Sequence, residues 1–380
     1  MKGFWAQDSI VGGRTARGGS SGMKKRLDYI DMVKGIGILG IVVMHAGVVP
    51  ERAVAWLSSF VTPLFFLVAG MLIGCTGERE RAGKEVVLRK GRALLVPFWC
   101  FSLLYILRDV ARMAAGVSSM EELKMEGVAM VTLWGTSVLW FLPALFLSEV
   151  LFVFLLKKLG TVRACVIAPF LTIVSFVCNG MLVEREVFFQ SGMPVYAVFC
   201  AARTILRSVY ALPYVCAGYV LFQGGRNIWE RERQFSLWQT AGGIMLFVLG
   251  ILIHMINGIF DFRTLSFGDM PVLAYLSASL SFLGVTLVCR NCKPVKPLLY
   301  FGKNSLIIMA THIDFYFLYL ALNVAYRVDH WIPRWNRAFF FVNVVGMILI
   351  LEVACIELIN RYLPFLTGKR KDSHSRKNLL

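Results

Sequence analysis

Charged residues are scarce in this 380-residue chain, at 17% of the total against about 25% in an average soluble domain. Acidic residues are the scarcer sign, with 23 Asp and Glu beside 40 Lys and Arg. Hydrophobic residues make up 57%, and the excess recurs along nearly the whole chain. This balance excludes a soluble enzyme and a free nucleic-acid binder. Residues 1–22 lack the apolar core of a secretory signal, being polar and rich in Gly and Ser. Residues 1–23 are read as a flexible tail or an over-extended start. No internal repeat is visible, which counts against a transporter built from duplicated halves. The nine cysteines lie scattered, mostly within apolar runs, so free thiols are expected. Cys289-x-x-Cys292 offers two ligands where structural zinc wants four, and no metal site is expected.

What the chain has instead is apolar runs of spanning length. A bilayer span takes about 20 such residues. Runs fall at roughly 33–49, 54–75, 93–111, 138–156, 164–180, 209–223, 237–257, 271–289, 304–326 and 338–360. The expected fold is all-α and polytopic, with about ten transmembrane helices. With the N-terminus in the cytoplasm and the spans alternating, 29 of the 40 Lys and Arg fall on the inner side. That bias places both termini in the cytoplasm of a plasma (inner) membrane protein. The longest outer loops are then 112–137 and 181–208.

Ionisable groups at membrane depth cost about 2.5–3.5 kcal/mol each on insertion scales, so each is a functional candidate. His45, Glu149, His312, Asp314 and Glu352 lie well inside the runs, and Arg108 and Asp109 near an outer end are placed to neutralise each other. His45 follows Lys34 by eleven residues, about 16 Å along a helix and on nearly the same face. His312 lies nine residues beyond Lys303, about 13 Å in from the same side. Glu149 stops eight residues short of Lys157, about 12 Å from that side. Two imidazoles and a carboxylate in one layer suit a proton relay or general acid–base chemistry. The alternative is a structural polar network shared among helices.

The inner segment 76–92 carries six basic residues, and Arg89 and Arg92 fall side by side if the third span extends as a helix. Paired guanidiniums suit phosphate; anchoring to anionic lipid is the competing explanation. Gly35-x-Gly37-x-x-Gly40 matches a dinucleotide fingerprint only in letters, because it sits in an apolar helix and not after a strand. There, as at Gly70-x-x-x-Gly74, small residues admit a neighbouring helix.

The stretch from Lys25-Arg26-Leu27-Asp28 through Lys34-Gly35 to His45 resembles the opening of the membrane acyltransferase family 3. That family carries a basic residue, ten residues and then histidine in its first span. Thr62-Pro63-Leu64-Phe65-Phe66 followed by Gly70 resembles a second landmark, with Ala69 where serine is usual. Arg89-Lys90-Gly91-Arg92 before Pro97, Trp140-Phe141-Leu142-Pro143, and Gly302-Lys303-Asn304-Ser305 leading to His312 are similar to three more. The resemblance runs from 24 to 362, leaving 363–380 as a basic cytoplasmic tail, and its closest flavour is the fucose 4-O-acetylase-like branch. It implies transfer of an acetyl group from acetyl-CoA, a co-substrate, to a hydroxyl of a sugar or surface-glycan precursor. His45 would serve as general base or acyl carrier, with His312 and Glu149 in support. Lys34, Arg89 and Arg92 would meet the phosphates of the donor. The rival class is a non-enzymatic transporter of a lipid-linked glycan, with the same polar layer and no CoA site.

Overall fold

The computed structural model describes residues 27–181, 192–230, 235–331 and 337–369. The tail 1–23, the part 182–191 of an expected outer loop, and 370–380 of the basic tail lie outside the described residues.

Helix α1 (Asp28–His45) opens with Asp28 and Asp31 in its first turn, where a helix favours negative charge. It stops at His45, four residues short of the expected span end, because Gly47 turns the chain at φ 68° and Pro50 caps the next helix. Helix α2 (Glu51–Thr76) ends at Gly77 in the left-handed region, a usual C-terminal stop. Next come α3 (Gly83–Ala114), a short α4 (Met120–Val131) inside the expected 112–137 loop, and α5 (Phe141–Met181). The last is kinked at Gly160, whose backbone at φ 79° and ψ 172° is not helical, and so divides into the two segments expected at 138–156 and 164–180. Helix α6 (Met193–Gly224) takes in residues 193–208, which the sequence places in an outer loop. That stretch is apolar apart from Arg203 and Arg207, whose charges hid the helix from hydropathy. Helices α7 (Leu237–Asn257), α8 (Pro271–Asn291), α9 (Lys296–Lys303), α10 (Ser305–Thr311), α11 (Phe317–Trp331) and α12 (Arg337–Tyr362) complete the chain.

Among the described residues, seven helices are long and apolar enough to cross a membrane. Helix α1 has 18 residues but carries Asp28, Asp31 and Lys34, and α10 and α11 are separate pieces of one expected span. The fold is not purely helical. Between α7 and α8, β1 (Phe260–Asp261) pairs antiparallel with β2 (Ser266–Phe267). The side chain of Asn257 closes this hairpin, donating to Phe267 O and accepting from Met270 N.

Successive long helices reverse direction, so 46–50, 132–140 and the hairpin share one face of the molecule. Segments 77–82, 225–230, 292–304 and 363–369 share the other. We call these the first and second faces. Helix α2 is central, with 78% of its apolar stretch inside the protein, whereas α7 has 17% and lies at the periphery. Two glycine-mediated crossings set the frame. A side chain at Gly70 would strike Val215 O and one at Gly218 would strike Leu67 O, so the backbones of α2 and α6 touch. Likewise Gly35 faces Leu298 O and Gly302 faces Asp31 O, which pins α9 against the start of α1.

Candidate active site

His45 ends α1 and His312 follows the last residue of α10, and the two rings meet. His312 Nε2 lies 3.1 Å from His45 Nδ1, with ring centroids 5.1 Å apart. The hydrogen positions follow from the surroundings of His312, which is only 2% exposed. Its Nδ1 sits 2.8 Å from Ile308 O and 3.0 Å from Met309 O, and carbonyls accept only. Nδ1 must therefore carry the proton, which leaves Nε2 of a neutral ring as an acceptor. His45 Nδ1 then donates to it, and His45 Nε2 keeps a lone pair. Two backbone carbonyls thus select the tautomer of a histidine one ring away.

The ninth expected span is broken at this point. After Thr311 the chain turns through residues 312–316, with Tyr316 at φ 60°, before α11 resumes. A break at membrane depth frees carbonyls that lipid cannot satisfy, and α3 satisfies them here. Tyr105 donates its hydroxyl to Ala310 O at 2.6 Å. Arg108 donates to Asp314 O and pairs with the Asp314 carboxylate at 2.7 Å and with Asp109 at 2.9 Å. Beside the pair, Thr311 donates to the Glu352 carboxylate, which is fully buried on α12. The sequence marks Glu352 as an expensive buried acid without indicating its neighbour.

His45 lines a cavity of about 690 Å³ reaching from Ser305 on α10 to the hairpin on the first face. That is within the usual size of a small-molecule site. Thr62 and Phe65 of α2 line it with Trp140 and Arg263. Its first-face wall is held by Arg207 of α6, 2% exposed, which donates to Arg263 O at 2.8 and 3.0 Å and to Trp134 O at 3.3 Å. The same guanidinium stacks 3.7 Å from the Trp134 ring and 5.1 Å from that of Trp140. Sequence reasoning missed Arg207 because it fell in the expected outer loop. Its spacing of four from Arg203 within an apolar stretch was the available signal.

The remaining expected site residues lie elsewhere. Glu149 is not with the histidines: it is fully buried and its carboxylate is 2.9 Å from Lys90 Nζ. Lys90 and Arg89 both reach Glu78, itself fully buried, so these four form one internal ion network between α3, α5 and the 78–80 turn. Depth along a helix fixes height and not direction, which is why the arithmetic placed Glu149 in the wrong company. Lys34 does not present its ammonium to the second face; it is fully buried, 2.7 Å from the Asp31 carboxylate. Arg89 and Arg92 do not form a fork. Arg89 turns to Glu78, while Arg92 is exposed and donates to Gly368 O at 3.0 Å.

A polytopic helical protein with a tautomer-fixed histidine facing a cavity of substrate size has the makings of a membrane-embedded enzyme. The chain belongs to acyltransferase family 3: the family model described as an acyltransferase domain matches residues 27–357, from before α1 to within α12. It is an acyl-transferring membrane enzyme, and both histidines lie within the matched region. No curated protein matches the chain.

Proposed function

We propose that the protein is an O-acetyltransferase, moving an acetyl group from cytoplasmic acetyl-CoA to a hydroxyl of a sugar in a surface glycan or its precursor, in the manner of fucose 4-O-acetylases. The observation that carries this reading is His45 at the cavity wall with its Nδ1 3.1 Å from His312 Nε2, a contact that assigns the free lone pair to His45 Nε2. An imidazole with an ordinary pKa of about 6.5 is mostly neutral at pH 7. His45 Nε2 takes the proton of the acceptor hydroxyl as its oxygen attacks the thioester carbonyl. The C–S bond then breaks, and the proton passes from His45 to the departing thiolate. His312 holds Nδ1 throughout and stabilises the transient imidazolium.

In this reading the protein spans a plasma (inner) membrane ten times, with both termini cytoplasmic. Dividing α5 at Gly160, joining α10 to α11 and adding α1 brings the spanning units to ten, and the excess of Lys and Arg on the second face supports its being cytoplasmic. The donor then approaches from the second face and the acceptor from the first, where the hairpin, Ser137, Val138 and Trp140 line the cavity. A topology reporter fused after Leu380 is expected to read cytoplasmic and one within 115–119 external; the reverse pattern would put the donor on the wrong side. Purified protein is expected to bind acetyl-CoA and to release CoA slowly to water, faster when a glycan acceptor is added. Absence of both binding and release, in protein that remains folded, removes the acetyl-CoA reading.

A further inference from the structure

The charged lining of the His45 cavity is confined to its first-face mouth. Glu51 and Arg52 stand in the first turn of α2, and Asp261 and Arg263 belong to the hairpin. Glu51, Arg52 and Arg263 are exposed. The other lining residues are uncharged, His45 being neutral in the tautomer described above. Among the described residues, no carboxylate lies within ion-pair distance of Arg52 or Arg263. Asp261 is occupied locally: its carboxylate accepts from Arg263 N at 2.8 Å and from the Thr264 hydroxyl at 2.9 Å. Behind the rim, the bonds of the buried Arg207 go to carbonyls and its faces to aromatic rings, with no carboxylate in contact among the described residues. Three guanidiniums thus stand against two carboxylates, and the mouth carries a net positive charge. The backbone bearing Arg263 is fixed from both sides, by Asp261 at its N–H and by Arg207 at its C=O. Its charge also bears on the His45 ring. Arg52 lies at the same end of the cavity, because His45 ends α1 and α2 begins after a five-residue turn.

We propose that the acceptor is an acidic sugar whose carboxylate is held by Arg52 and Arg263 while His45 takes the proton of its hydroxyl. The proposal rests on the acetyltransferase reading above and adds to it the charge class of the acceptor. A guanidinium donates two parallel N–H bonds to a carboxylate, and a neutral sugar offers neither arginine a counter-charge. A cleft lined by charge of one sign and walled by apolar groups focuses its field, which draws an anion in from the first face. The surplus at the mouth is one positive charge, which a single carboxylate balances. A doubly charged phosphate would exceed it and meet the Glu51 carboxylate beside Arg52.

The test uses the full chain in detergent with acetyl-CoA and acceptors in matched pairs that differ only at the sixth carbon. The methyl glycosides of glucuronic, galacturonic and mannuronic acid are each set against that of the parent hexose. Release of CoA above the rate without acceptor gives kcat/KM. At least one acid is expected to exceed its neutral partner about tenfold, within what two partly exposed ion pairs supply. Arg52→Gln combined with Arg263→Gln is expected to bring that ratio close to one, mainly through KM, and Arg→Lys at both positions should retain part of it. If no acid surpasses its neutral partner, or the Gln variant keeps the preference, the proposal is overturned, while transfer to neutral sugars leaves the acetyltransferase reading standing. A hexose 6-phosphate that outperforms the matching uronate overturns the carboxylate assignment. If the folded parent neither binds nor cleaves acetyl-CoA, the underlying reading fails first, and the acidic acceptor with it. Should the Gln variant fail to fold, the parent decides alone: its preference for the acid must fade as salt rises, because ionic strength screens exposed charges. A preference indifferent to salt overturns the role of the two arginines.

Discussion

Replacing His45 with alanine is expected to abolish acyl transfer, with a loss of at least the 10²–10⁴-fold, roughly, that a positioned general base contributes. Insertion should not suffer, because the change removes a polar group from an apolar helix. Some stability will be lost, since His312 Nε2 is left buried without its donor, at about 1–3 kcal/mol. His312→Ala is expected to cost less activity. It frees His45 to populate both tautomers, but only the minor rearrangement of a half-buried ring stands between the variant and the reactive form. The measurement is glycan O-acetylation in a deletion strain complemented with each variant, at matched protein levels. Retention of most acetylation by His45→Ala would make that ring a packing residue. Loss confined to His312→Ala would move the chemistry to the break after α10.

The second large effect concerns stability. Glu149→Ala leaves the Lys90 ammonium buried without its 2.9 Å partner. Breaking a buried ion pair from one side costs about 3–5 kcal/mol, a large share of any membrane domain's margin. We expect a sharp fall in the amount of folded protein and in its melting temperature, with turnover per folded molecule close to that of the parent. Lys90→Met combined with Glu149→Leu should recover much of the loss, because two apolar groups of similar size need no counter-charge. Reduced turnover at an unchanged melting temperature would return Glu149 to the chemistry.

These two outcomes bracket what the sequence could tell. The rise of a helix gives the depth of each residue, so His45 and His312 were legible as one layer despite lying on distant segments, and they touch. The same arithmetic carried Glu149 into that layer because rise alone does not say which neighbour a side chain faces. Charge near a membrane surface was legible as a count. Which cations stay available was not, because the buried carboxylates of Asp31 and Glu78 take up Lys34 and Arg89 internally. Glycine spacing announced close helix contacts without naming the partners, such as Val215 and Leu298. The hairpin at 260–267 and the break at 312–316 carry no hydropathy signal at all. The first depends on hydrogen bonds from the adjacent Asn257 and the distant Ser58, the second on those from the distant Tyr105 and Arg108.

The broken span also fixes when the histidine pair can form. His45 and His312 are 267 positions apart, and a ribosome adding roughly 5–20 residues per second needs about 13–50 s to cover that distance. Through that interval the first helix waits in the bilayer with its imidazole unmatched. The seven-residue half-helix that brings the second ring has too few apolar residues to insert alone, and its open end is stable only against Tyr105 and Arg108, made long before. The two rings thus meet only when a short piece docks against helices made long before it. A chain stalled before that point holds its first helix without the partner ring of His312.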